Sequence, residues 1–186
     1  MKHTLLVALI LLVASLASSQ EAYYPARDGL SWTYSNGETQ TIGAPREVAG
    51  QSATVLLHYL QGSPVSEDYL VYDAQGVRAI GTSAGGDTLI YTPFLTVYPP
   101  PPMQVGQSWK TTANVSGFDI SLSSEVLAVR GVETPAGRYN ALQIRQQTVT
   151  TTGGQTIVDL FFVPSIGVVR WVMQDGTTID LIDKNF

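Results

Sequence analysis

The chain has 186 residues, a formal net charge of −5 at pH 7 and no cysteine. The missing thiol excludes disulfides, thiolate catalysis and Cys-ligated zinc or iron–sulfur centres, so stability must come from a packed core. The acidic balance, with no Lys/Arg cluster to override it, argues against a nucleic-acid partner.

Lys2 and His3 precede an apolar or small-residue run over residues 5–16, and Ala17-Ser18-Ser19 then offers small residues ahead of Gln20. This is the layout of a cleaved secretory signal peptide, expected over residues 1–19, with Ser15-Leu16-Ala17 as an alternative site. The run falls short of the roughly 20 apolar residues that a spanning helix needs. A bacterial lipid anchor would require a cysteine after the signal, so the mature chain is expected to carry neither lipid nor a transmembrane segment. Residues 20–186 then form a single β-rich domain, with halves of about 20–98 and 99–186, working in the periplasm, at the cell surface or in the medium.

Along the mature chain no apolar repeat at three- and four-residue spacing is long enough for a surface helix. Strand composition, rich in β-branched and aromatic residues, recurs over residues 53–60, 68–72, 77–80, 88–92 and 109–115. Asn36-Gly37, Gln75-Gly76 and Gly85-Gly86 read as turns between strands, because glycine takes positive φ without steric cost. Tyr98-Pro99-Pro100-Pro101-Pro102 cannot join a sheet interior and is expected to be a stiff crossing between the halves. Beyond it, residues 120–132, 139–151, 156–163, 168–173 and 177–182 alternate with turn signals and predict five consecutive antiparallel strands. The first two are long enough to twist and curl. The expected fold is therefore all-β: a curled antiparallel sheet, half-barrel or barrel of lipoprotein-carrier or lipocalin type.

An internal echo joins the halves. Pro25, Gly29, Ser31 and Trp32 recur at the same spacing as Pro102, Gly106, Ser108 and Trp109. Both copies lead into a strand. A repeated way of starting a strand and seating an indole in the core explains the echo better than a duplicated ligand subsite.

Gly81-Thr82-Ser83-Ala84-Gly85 satisfies the G-x-S-x-G string of a nucleophile elbow, but no helix signal follows and the only mature histidine, His58, lies upstream. A triad of His58, Asp73 and Ser83 can be written, and a Gly-rich loop with an incidental serine is the preferred reading. One histidine without cysteine is too few ligands for a transition-metal site, and Asp175, Asp180 and Asp183 lack calcium-loop spacing. Glu67 and Asp68 are adjacent, so on a strand they point to opposite faces rather than across a cleft. Tyr23, Tyr24, Tyr91, Phe94 and Tyr98 could supply an apolar or sugar-stacking surface, or simply core. Phe186 resembles the terminal aromatic of an outer-membrane barrel strand, yet the alternate residues before it are mostly polar. No catalytic residue, cofactor or metal site is assigned, and the ligand-binding residues are left open.

Three stretches carry a resemblance: Tyr24-Pro25-x3-Gly29-x2-Trp32-x-Tyr34, the run from Gly131 through Thr134-Pro135-Ala136-Gly137 to Ile144, and Phe161-Phe162-Val163-Pro164-Ser165-Ile166-Gly167-Val168-Val169-Arg170. The chain resembles exported bacterial β-proteins of the TapB-like or DUF-type periplasmic kind. The resemblance implies a bacterial envelope or secreted setting and a curved sheet or half-barrel like that of periplasmic lipoprotein carriers. It implies no reaction, because the matching residues are turn and packing residues. The leading expectation is a noncatalytic envelope protein that binds an apolar small molecule, a lipid or another envelope component. A purely structural or assembly partner and a serine hydrolase are the alternatives.

Overall fold

A computed structural model describes residues 23–186, so the expected signal peptide and its cleavage site lie outside the described residues. Twelve strands follow one another: β1 (Ser31–Tyr34), β2 (Glu38–Val48), β3 (Gln51–Leu60), β4 (Ser63–Asp73), β5 (Gly76–Ala84), β6 (Asp87–Tyr98), β7 (Ser108–Val115), β8 (Phe118–Thr134), β9 (Gly137–Thr150), β10 (Gln155–Val163), β11 (Gly167–Met173) and β12 (Thr178–Lys184). Each pairs antiparallel with its sequence neighbour, and β1 pairs with β12 to close a barrel. The sheet is thus fully closed rather than an open half-barrel. Closure gives every strand among the described residues a neighbour on both sides, which limits the exposed edge that could template aggregation. The outward face of β8–β10 carries Ser123, Glu125, Arg145 and Asp159. These four side chains are polar or charged, where a lipid-facing strand carries apolar ones.

β2 is the strand that composition does not announce. Among its residues only Ile42 and Val48 are large aliphatics, and Pro45 interrupts it where the β2–β3 register shifts. Its place is fixed from outside, by pairing with β3 and by backbone bonds from the segment before β1. The Gly81–Gly85 string also differs from its loop reading, because Gly81 to Ala84 continue β5 and only Gly85-Gly86 turns.

The two halves share a backbone plan. In the first, Gly29 N donates to Ile42 O (2.8 Å) and Ile42 N donates back to Leu30 O (2.8 Å); in the second, Gly106 N donates to Val126 O (2.8 Å) and Val126 N to Gln107 O (2.9 Å). Gly29 (φ 82°) and Gly106 (φ 85°) both take the left-handed region that makes this return possible. Register extends the correspondence. Ile42, Gln40 and Arg46 oppose Leu56, His58 and Ala53, as Val126, Ser124 and Arg130 oppose Ile144, Gln146 and Ala141. One strand further, Leu56 opposes Asp68 and Ile144 opposes Leu160. His58 and Gln146, Gln40 and Ser124, Asp68 and Leu160 are therefore equivalent pairs. The equivalence does not extend to the indoles: Trp32 is 2% exposed and donates to Ile166 O, whereas Trp109 is half-buried and its buried Nε1 has no partner among the described residues.

Large side chains fill one end of the barrel. Tyr23 and Tyr24 enter ahead of β1 and pack on Phe162, with Tyr98 against both Tyr24 and Phe162 at centroid distances of 5.4 and 4.7 Å. The polyproline crossing closes over this plug, since Met103 N donates to Tyr23 Oη. Phe186 packs edge-on against Trp32 and covers its ring. A second, smaller cluster of Val48, Ala53, Val55, Tyr69, Val71 and Ile80 lies on the other face of β3–β5, where Phe94 and Ile90 cover it.

Gly76 tests how tightly the β4–β5 turn is bound to that plug. A Cβ there would sit 2.1 Å from Tyr98 O, and its φ is 107°. Gly76→Ala should lower unfolding free energy in urea by more than about 1 kcal/mol. Gly131→Ala, with ordinary φ and open space around it, should be nearly neutral. Equal effects would mean that this close approach does not constrain the fold.

Candidate ligand-binding lumen

Above the plug, the interior is not filled. Two lobes of about 240 and about 160 Å³ adjoin through shared walls at Tyr24, Leu56, Asp68, Val97 and Tyr98. Together they fall near the lower end of the roughly 300–1,000 Å³ typical of small-molecule sites. The larger lobe is bounded by Tyr34, His58, Gln146, Leu160 and Trp171 besides the shared residues. It lies between the halves, because His58 with Gln146 and Asp68 with Leu160 are the equivalent pairs defined by register. The smaller lobe is apolar, walled by Leu70, Val77, Ala79, Leu95 and Leu122, with Tyr91 at its side. It abuts the thinnest seam of the barrel, where β6 and β7 share a single ladder pair, Thr92 with Asn114.

Register also assembles the polar wall. Gln40 opposes His58, so Glu38 is diagonal to it on the same face; Ser66 opposes His58 on the far side, so Asp68 is the other diagonal. The imidazole consequently lies between two carboxylates, with Nδ1 2.9 Å from Glu38 Oε1 and Nε2 3.1 Å from Asp68 Oδ2. Only a protonated ring can donate from both nitrogens. Burial alone would push His58 down, but the hydrogen bonds to Asp68 and Glu38 and the charges of both acids hold it at about 9. The bond from His58 in turn keeps Glu38 below its ordinary range against its own desolvation, helped by Gln40 Nε2 at 2.9 Å. Burial raises the phenols of Tyr34 and Tyr98 far above neutrality, and burial together with the Asp68 charge does the same for Tyr24. The aromatic walls therefore stay uncharged.

The sequence candidates fall into three groups. Asp68, His58, Tyr24, Tyr91 and Tyr98 converge on the lumen. Glu67, as adjacency requires, faces outward and pairs with Arg46 at 2.5 Å, while Phe94 joins the smaller cluster. Asp175 bonds Thr177 N and Asp180 pairs with Arg170 in the β11–β12 ladder, so these acids hold separate local partners. The written triad does not assemble. Ser83 opposes Glu67 and Glu67 opposes Leu57, whereas His58 opposes Ser66; Ser83 and His58 both border an outer groove but belong to opposite faces of the sheet. Both ring nitrogens of His58 are already engaged, and Asp73 pairs with Arg78. Glu38, Gln40 and Gln146 are the site residues that sequence reasoning missed. The signal that could have found Glu38 and Gln40 is the alternation Glu38, Gln40, Ile42 ahead of a bulge.

No family model matches the chain, and comparison with curated proteins gives no match. Among solved structures, the chain is similar to a protein from Bacteroides fragilis described as exported and of YmcC-like fold, at 12% identity and a TM-score of 0.47, over 88% of this chain and 99% of that one. It is also similar to one from Parabacteroides distasonis described as a lipoprotein, at 11% identity and a TM-score of 0.42, over 88% and 98% of the two chains.

The clamp on His58 makes stability depend on pH with a definite sign. A raised folded pKa contributes stability that is complete below the unfolded value of 6.5 and is lost as pH rises through about 9. The whole contribution is on the order of 3 kcal/mol. Urea unfolding free energies should fall between about pH 6 and about pH 9.5, and His58→Gln should flatten that slope. An unchanged slope in His58→Gln would assign the titration to another group.

Proposed function

We propose that the mature chain is a noncatalytic exported envelope protein whose barrel lumen holds a small apolar or amphipathic molecule. The observation that carries this reading is the pair of adjoining lobes above the aromatic plug, one apolar and one edged by His58, Asp68 and Gln146. A lumen made only to stabilise the fold would be filled, because each unfilled cavity costs about 20–25 cal/mol per Å³ in lost packing. The signal-like sequence of residues 1–19 supports a setting outside the cytoplasm, and the resemblance to exported bacterial β-proteins fits it.

Val97 borders both lobes and gives the cleanest test. Binding of 1-octanol to the mature protein, followed by isothermal titration calorimetry, should be measurable and should weaken at least about tenfold in Val97→Trp, whose indole fills the junction. Val105→Trp, at a position 57% exposed, should bind as the unaltered protein does. Octanol binding indifferent to Val97→Trp, or failure of octanol and its charged eight-carbon analogues alike to bind, would remove the carrier reading.

A further inference from the structure

The charge inside the lumen is one-sided. Among the described residues lining both lobes there is no lysine and no arginine, and the ionisable side chains other than phenols are His58 and Asp68, with Glu38 bonded behind the ring. One imidazole serves two carboxylates, so the cluster cannot exceed one positive charge against two negative ones. Asp68 is the acid that faces the space. It borders both lobes, its side chain is 39% exposed, and only its Oδ2 is engaged, leaving Oδ1 without a hydrogen bond among the described residues. Its equivalent in the second half is Leu160, and that of Glu38, by the same register, is Leu122; no opposing charge balances the pair across the cavity.

Around this carboxylate the walls are aromatic. Tyr24, Tyr34, Tyr98, Trp32 and Trp171 all border the larger lobe. Ring faces attract cations, and aromatic walls beside a carboxylate are how proteins hold alkylammonium groups. A carboxylate ligand would meet the opposite: like charge at Asp68 and no cation free to pair with it.

From these observations we infer that the lumen selects an organic cation with a short apolar tail, the ammonium group resting in the larger lobe against Asp68 Oδ1 and the aromatic rings, the tail in the apolar lobe beside Leu70, Leu95 and Leu122. The inference rests on the carrier reading and gives its ligand a charge. It also gives the asymmetry between the halves a role, since only the first half keeps acids at the equivalent positions.

Three probes of equal chain length separate the two readings in one calorimetric series at neutral pH: octyltrimethylammonium, 1-octanol and octanoate. Octyltrimethylammonium should bind at least about tenfold more tightly than 1-octanol, and octanoate more weakly than either. Asp68→Asn should bring the cation to within about threefold of the alcohol while leaving alcohol binding in place. If that variant does not fold, the ranking of the three probes on the unaltered protein decides alone. Octanol binding with no preference for the cation, or a preference for octanoate, would overturn the inference and leave the carrier reading standing; failure of all three probes to bind would remove both.

Discussion

Closure is the constraint from which the rest follows. Once β1 pairs with β12, every strand has two neighbours and the sheet encloses a fixed interior. About eight strands enclose just the volume that their own side chains fill, and twelve enclose more. The surplus is met in two ways. Aromatic residues from the segment ahead of β1 and from β6 and β10 plug one end, and a cavity remains above them between the two halves. The plug's position explains why Gly76 must lack a side chain: the β4–β5 turn comes against the backbone of Tyr98, which holds the plug from the other side.

The two halves are built alike and used differently. The left-handed glycine and its paired backbone bonds recur at Gly29 and Gly106, and the register of the following hairpins recurs with them. A ladder fixes where side chains stand without fixing what they are. That freedom lets the first half carry Glu38, His58 and Asp68 where the second carries Leu122, Gln146 and Leu160. The ion cluster is self-contained: each acid gains a donor, the imidazole keeps its proton, and the other oxygen of Asp68 has no hydrogen bond among the described residues. Holding two acids and a base in a half-buried wall costs desolvation that a row of leucines would avoid. The other half shows the apolar alternative at two of the three positions.

Much of this architecture is legible in the sequence. Glycine turns and β-branched runs mark ten of the strands, and the five-strand meander after the proline crossing follows directly from its turn residues. The matching Pro, Gly, Ser and Trp spacing points to the halves. β2 is hidden because its local composition is that of a loop, with Gly43, Pro45 and three charged residues, and its strand character comes from partners elsewhere. The site is hidden for the same reason. His58 reads as one histidine on a strand face, and nothing local to it reveals that two acids stand diagonally on neighbouring strands. Asp68 and Glu67 are separated correctly by alternation, yet which of them faces the interior depends on the register of β4 against β3, and hence on closure.

The claim on which the account rests is that the space between the halves receives the ligand, and methyl NMR on the mature protein locates it most directly. With octyltrimethylammonium bound, nuclear Overhauser contacts from the octyl chain should reach the methyl groups of Leu56 in the first half and Leu122 in the second, which wall the apolar lobe together. Contacts confined to outward-facing methyl groups such as those of Val65 and Leu89, both exposed, would place the probe on the outer surface and contradict the account.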